Sequence, residues 1–256
     1  MRPTSTSPDH GGAGGERVPL TLGNRAAKRG FDVVLSGALL LLTAPIFALL
    51  ALLIAIDSPG GALFRCNRVG FRGRPLSMLK FRKMVEAASG PALTAADDDR
   101  FTRIGRLLSA TKLDELPQLW NVLRGDMSLV GPRPEDKRFV DLHPERYQQI
   151  LSVRPGMTGL SQLAFARESE ILDSNDREGH YIRVIFPQKV ELDVRYATTR
   201  TLWLDAKILL WTAAATIIRR DIAVNRRTTQ LGFRRRPRPS AIPTNAPRQM
   251  PEKPSP

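Results

Sequence analysis

The chain has 256 residues, of which 42 % are hydrophobic, enough for one medium-sized core with appendages. A single cysteine, Cys66, excludes an internal disulfide and fits a reducing compartment, and the three histidines, His10, His143 and His180, lack the spacing of a zinc site. The formal net charge of +14 points to anionic partners, yet residues 225 to 256 carry eight Arg or Lys against Glu252, about half of the excess.

Residues 1–24, with Gly11 to Gly15 and scattered Ser, Thr and Pro, are expected to form a disordered tail. From Val33 to Ile56 no residue is charged, long enough for a membrane helix. The run is too long, and starts too late, for a cleavable signal. Pro45 sits in its middle, removes a backbone donor and opposes the Leu41 carbonyl, so a bend is expected there. Each half then spans roughly 18 Å against a hydrocarbon core of ~30 Å. Arg25, Lys28 and Arg29 precede the segment and Arg65, Arg68, Arg72 and Arg74 follow it, which places both ends on the cytoplasmic side. A helix-break-helix that enters and leaves by one face satisfies length, bend and charge together, with Thr43 available to a freed carbonyl. On the residues alone, that arrangement and an ordinary kinked spanning helix both stay open.

In Leu63 to Met84, Gly70 and Gly73 separate two short stretches and predict a small hairpin. Its arginines suit a solvated basic surface, whereas Lys80, between apolar neighbours in "LKFR", is a candidate for a defined role. Residues Glu86 to Arg100, with Asp97, Asp98 and Asp99 in a row, read as a loop or helix start and not a metal site.

The stretch "TKLDELPQLWNVLRGDMSLVGPRPE" carries the most chemistry. Pro117 fits only the first turn of a helix and Gly125 follows its apolar run, which predicts a helix from about Glu115 to Arg124. Asp114 and Glu115 would then sit at its positive end, either as a cap and a first-turn acid or as a functional pair. In "GPRP", Pro134 drives Arg133 into an extended conformation. In "RPGMTG" a second arginine, Arg154, stands on a Pro-Gly turn. Two fixed guanidiniums beside a carboxylate pair able to hold Mg²⁺ match the needs of a diphosphate substrate. Near the end, Leu202 to Ile218 contains Asp205 and Lys207 and is too interrupted to span a membrane; it suits a helix at the interface or against the core.

These motifs, in this order, resemble the bacterial sugar transferase family, the monotopic phosphoglycosyl transferases that start glycan assembly on a polyprenyl phosphate carrier. The likeness runs from about Lys28 to Ile218 and rests on "KRGFD", the mid-segment proline, "RVG", "KFR", "LDELPQLWNVLRGDMSLVGPRPE", "RPGMTGL", "ELDVRY" and "LWLDAKILLWT". It implies a re-entrant membrane helix bending at Ala44-Pro45, which favours the hairpin reading, with the soluble parts cytoplasmic. It also implies Asp114 as nucleophile, Glu115 as a Mg²⁺ ligand, and Lys80, Arg133, Arg154 and Asp193 as substrate-binding residues. The chain departs from the family in several places: Ser109 stands where an arginine is usual, with Lys112 nearby as a replacement, Cys66 where glutamine is common, and Lys83 where a small hydroxyl residue usually follows "KFR". The Gly-Arg continuation after "RPGMTGLSQL" is also missing.

The expected fold is thus mainly α with a small β-hairpin: a disordered tail (1–24), a re-entrant membrane helix (25–60), a cytoplasmic α/β catalytic domain with interfacial helices (61–222) and a disordered, basic, Pro-rich tail (223–256). The expected chemistry is transfer of a sugar-1-phosphate from a UDP-sugar to polyprenyl phosphate at the bacterial plasma membrane, with anionic lipids near the tail. The chain is expected to be the compact form, without the multi-span N-terminal region that some members carry. A direct transfer with Asp114 as base is the mechanistic alternative. A membrane-anchored binding protein whose tail grips anionic lipid or nucleic acid is the alternative in kind, although the tail lacks aromatics between its arginines and belongs to no nucleic-acid motif.

Overall fold

The computed structural model describes residues 22–85, 98–166, 176–218, 222–225 and 228–233. Most of the expected N-terminal tail, residues 86–97 and residues 234–256 lie outside this set.

The apolar segment lies within one helix, α1 (Leu22–Asp57), which stays helical through Pro45. The expected break is therefore not an interruption of the helix. The Thr43 hydroxyl donates to the Leu39 carbonyl at 2.7 Å and not to Leu41, the carbonyl that Pro45 leaves without its usual donor. An 18-residue window within Asn24–Asp57 has a mean hydropathy of 2.9, and only 11 % of it is buried. By length and composition this helix can cross a membrane. It touches the remainder of the protein along one stripe that includes Asp32, Ser36, Leu50 and Ile54, whereas Val34, Leu41, Leu42 and Ile56 stay exposed.

After α1 comes the expected hairpin, β1 (Leu63–Val69) antiparallel to β2 (Pro75–Phe81) with Cys66 opposite Met78. A 3₁₀ turn, Phe71–Gly73, joins them, with Arg72 (φ 57°) and Gly73 (φ 75°) in the left-handed region. Strand alternation turns Leu76, Met78 and Lys80 towards one face. Helix α2 (Arg103–Thr111) is N-capped by Thr102, whose hydroxyl accepts from the Gly105 amide at 2.9 Å, and ends at Lys112 with φ 60°. A 3₁₀ turn, Leu113–Glu115, leads to α3 (Gln118–Arg124), closed by Gly125 at φ 94°. This helix starts three residues later than the sequence suggests, because Pro117 takes the N-cap position. The Asn121 side chain clamps α3 to β2: its Oδ1 accepts from the Leu79 amide and its Nδ2 donates to the Ser77 carbonyl, each at 2.9 Å.

Next are β3 (Ser128–Val130), α4 (Lys137–Val140), α5 (Pro144–Ile150), β4 (Gly156–Thr158) and α6 (Leu160–Ala164). "RPGMTG" is not an isolated turn: Gly156–Thr158 forms a strand parallel to β3, with Ser128 opposite Gly156 and Val130 opposite Thr158. The backbones meet so closely that a Cβ on Gly131 would stand 2.5 Å from the Arg154 carbonyl oxygen. We expect Gly131→Ala to destabilise the protein by about 2 kcal/mol, because neither strand can retreat from backbone atoms, read as a lower melting temperature in detergent.

A short helix α7 (Arg177–His180) continues through a π-helical segment, Tyr181–Ile185, into α8 (Phe186–Thr199). Pro187, with no N–H to offer the previous turn, lies two residues past the π segment. Helix α9 (Leu202–Ile218) buries Leu204, Asp205 and Ile208 and exposes Trp203, Leu210 and Ile218, so it packs on the core by one side and keeps an apolar outer face. The segment assigned to the C-terminal tail begins with order: β5 (Ile222–Val224) pairs with β6 (Leu231–Phe233), and the Phe233 ring stands edge-on to Trp211 at 5.0 Å.

Three cores result. The main one joins Met78, Leu119, Val122, Leu129, Leu192 and Ile208 across β2, α3, β3, α8 and α9. The second is aromatic, with Phe139, Tyr147, Tyr181 and Phe186. The third, Leu50, Ile54, Phe81 and Leu108, sits under the end of α1. A buried polar network ties the start of α1 to the main core. Lys28 Nζ pairs with Asp32 (3.2 Å) and Asp205 (2.9 Å), and Asp32 accepts from the Ser128 hydroxyl (2.8 Å) and the Leu129 amide (3.2 Å). The Tyr196 hydroxyl reaches Asp205 Oδ1 at 2.6 Å. Arg29 donates to the Val122 and Leu123 carbonyls at 2.6 and 2.8 Å, capping the C-terminus of α3 with a cation. "KRGFD" is therefore the seam between the apolar helix and the folded core.

Candidate active site

Asp114 and Glu115 lie on the 3₁₀ turn before α3, held by left-handed Lys112 on one side and Pro117 on the other. Asp114 does not cap α3; it is 2 % exposed, and its Oδ2 is 3.3 Å from Lys83 Nζ. Lys83 stands two residues past β2, with its carbonyl accepting from the Thr102 amide at 3.1 Å and its ammonium over the Phe101 ring at 5.5 Å. Burial lowers the pKa of Lys83, and the Asp114 charge opposes that shift.

Glu115 faces the other way. Its Oε1 receives Lys80 Nζ at 2.9 Å and Arg133 Nη2 at 3.4 Å. Burial works against its ionisation, but Lys80 first, then Arg133, with Lys112 a smaller contributor, outweigh that cost and hold the carboxyl well below the usual carboxylate range. Lys80 reaches Glu115 from the inward face of β2, and Arg133 from the irregular segment between Pro132 and Pro134. Asp114, Glu115, Lys80 and Arg133 are thus brought together as the sequence suggested, with Lys83 added.

Arg154 and Asp193 are placed elsewhere. The Arg154 Nε donates to the Gly125 carbonyl at 2.9 Å and its guanidinium stands 5.5 Å from the Phe71 ring centre, at the far end of α3. There it lines a basic cleft of about 690 Å³ with Arg25, Lys28, Arg29, Arg72 and Arg200. Asp193, on α8, belongs to a buried polar cluster behind Arg133 in which Lys189 pairs with Glu135 at 3.1 Å and donates to the Tyr181 hydroxyl at 2.9 Å. Asp193 Oδ1 has no hydrogen-bond partner among the described residues. Burial pushes the Asp193 carboxyl up to about 7, against a Ser161 hydrogen bond and the Lys189 charge.

A raised folded-state pKa means that the native protein binds this proton more tightly than the unfolded chain, so the group's contribution to stability falls as pH rises from about 4 to about 7. We expect Asp193→Asn to flatten that slope and to gain up to roughly 4 kcal/mol over wild type at pH 8 relative to pH 4, measured as the difference in denaturation midpoints.

Ala44, next to Pro45, lines an apolar groove of about 460 Å³ with Leu40, Phe47, Ala48, Leu63, Leu79, Pro117 and Trp120. Two of its lining residues neighbour the site in sequence: Leu79 precedes Lys80, and Pro117 is two residues past Glu115. Both ion contacts of Glu115 fall on Oε1, so a Mg²⁺ ion would be held through Oε2. No group of three His, Cys, Asp or Glu side chains converges among the described residues, so substrate oxygens would complete the coordination shell.

A carboxylate pair fixed by three cations has the makings of a group-transfer site for a phosphate-bearing substrate, and the apolar groove beside α1 offers room for a greasy part. The chain belongs to the bacterial sugar transferase family, whose profile matches residues 23–219. It is 44 % identical over 190 residues to the UDP-glucose:undecaprenyl-phosphate glucose-1-phosphate transferase of Caulobacter vibrioides, covering 72 % of this chain and 67 % of that protein. It is 36 % identical over 205 residues to the protein of the same description from Escherichia coli, covering 76 % of this chain and 41 % of the relative. Likewise it is 36 % identical over 190 residues to the UDP-N-acetylgalactosamine-undecaprenyl-phosphate N-acetylgalactosaminephosphotransferase of Aeromonas hydrophila, covering 72 % and 42 %. The chain therefore spans about two thirds of the first of these relatives and about two fifths of the others.

Proposed function

We propose that the protein transfers a sugar-1-phosphate from a UDP-sugar to undecaprenyl phosphate at the cytoplasmic face of a bacterial plasma membrane, releasing UMP, as the first membrane step of exopolysaccharide, capsule or O-antigen synthesis. The observation that carries this reading is the buried Asp114, paired with Lys83 beside a Glu115 fixed by Lys80 and Arg133.

In this mechanism Asp114 attacks the β-phosphorus of the UDP-sugar, the bond to UMP breaks, and a phosphosugar-aspartyl intermediate remains. The lipid phosphate then attacks the same phosphorus and frees Asp114. One phosphoanhydride replaces another, so little driving force is lost. Lys80 and Arg133 orient Glu115 and offer fixed positive charge to the diphosphate. Bound on Glu115, Mg²⁺ would neutralise charge on the departing UMP. The groove suits the isoprenoid tail, and α1, re-entrant at Ala44-Pro45, would set its depth. Arg154 and Asp193 serve less directly: Arg154 offers its guanidinium to an anion in the basic cleft, and Asp193 braces the segment that carries Arg133.

The test is UMP release by the detergent-solubilised protein with a panel of UDP-sugars, undecaprenyl phosphate and Mg²⁺, with and without a chelator. Release that requires one UDP-sugar, the lipid and the metal supports the reading and names the sugar. No release with any UDP-sugar refutes it.

A further inference from the structure

One cation in the site has no counterpart in the pattern that the sequence resembles. Lys83 occupies the position after "KFR" and approaches the buried Asp114 Oδ2 at 3.3 Å. Its backbone is locked: the Lys83 carbonyl accepts from the Thr102 amide, and Gly105 packs so closely on it that a Cβ there would overlap the carbonyl. Phe101 supports the ammonium from below. The other two cations of the site, Lys80 and Arg133, are committed to Glu115. Asp114 thus has a dedicated counter-ion, delivered by a rigid strand end, and desolvation of Lys83 strengthens any interaction it makes.

The charge that Lys83 neutralises moves during the proposed reaction. As an Asp114 oxygen forms its bond to the β-phosphorus, the carboxylate charge disappears into a neutral acyl oxygen, and the bridging electron pair leaves on UMP. The non-bridging oxygens of the phosphoryl group now carry the negative charge, within reach of an ammonium one hydrogen bond from the carboxylate. Attack by the lipid phosphate breaks the acyl–phosphate bond and returns the charge to Asp114. A fixed cation that meets charge at both ends of this path stabilises the transition state between them without reorganising.

We propose that Lys83 is a catalytic residue of this chain, pairing with the Asp114 carboxylate in the resting enzyme and with the phosphoryl group carried on Asp114 during transfer. The inference rests on the covalent reading above. Its test is rapid-quench intact-protein mass spectrometry with the accepted UDP-sugar and no lipid, on wild type, Lys83→Met, Lys83→Arg and Asp114→Asn, with melting temperatures as a folding control. Lys83→Met is expected to form the adduct about 100-fold more slowly while the KM for the UDP-sugar changes by less than about threefold, and Lys83→Arg to recover about a tenth of the wild-type rate. Two results overturn the proposal alone: an adduct rate in Lys83→Met within about threefold of wild type, or equal losses in a folded Lys83→Arg and Lys83→Met, which mark a packing role. Absence of adduct from wild type overturns the covalent reading and this proposal with it.

Discussion

Asp114→Asn is expected to abolish both the covalent sugar-phosphate adduct and UMP release, lowering turnover by at least about 10⁴-fold. The substitution preserves shape in a residue that is 2 % exposed, so loss of fold does not explain the result, and a melting curve checks that directly. It removes the negative charge that makes the carboxylate a nucleophile in the proposed mechanism, and it leaves Lys83 facing a neutral amide. The wild-type measurement separates the two mechanisms: a hexose-phosphate-sized adduct formed without lipid marks Asp114 as a nucleophile. If Asp114 is instead a base for direct transfer, the variant is equally inactive but wild type never gains mass.

The second large effect is on stability and lies far from the carboxylate pair. Asp205→Ala is expected to cost about 3 kcal/mol, because Lys28 loses its closest partner while still enclosed, and Tyr196 loses its carboxylate acceptor. Asp205 is 1 % exposed, and burial raises its pKa against the pull of Lys28 and Tyr196, so the pair is held at some desolvation cost. A double variant, Lys28→Met with Asp205→Leu, should therefore recover much of the loss. Thermal unfolding of wild type, Lys28→Met, Asp205→Leu and the double variant in one detergent gives the coupling; a loss under about 0.5 kcal/mol in Asp205→Ala would show the network to be ornamental.

The apolar helix, the hairpin and the Asp-Glu pair were legible because each is a local signal: an uncharged run, glycines between short strands, a proline that fits only the first turn of a helix. What escaped reading is long-range. "RPG" looks like a turn until β3 supplies a parallel neighbour, and that pairing sends Arg154 to the far end of α3, away from Glu115. Asp205 looked like a flaw in an apolar helix; Lys28, some 180 residues earlier, makes it a buried anchor. Lys83 stood out only as a departure from a pattern. Nothing in its neighbours shows that Asp114, across α2, is its partner. The β5–β6 pair was hidden because the arginines around it dominate the composition.

The seam at Arg29 and Asp32 has a consequence for how the reaction is fed. Arg29 grips the last turn of the helix whose first turn follows the carboxylate pair, and Asp32 grips β3, from which the Arg133 segment departs. On the proposed reading, with α1 in a lipid leaflet and Asp114 as the nucleophile, these contacts would fix the altitude of that carboxylate above the surface. A carrier whose phosphate rides at that altitude has only to drift sideways to arrive in register, and a search through a volume becomes a search across a plane.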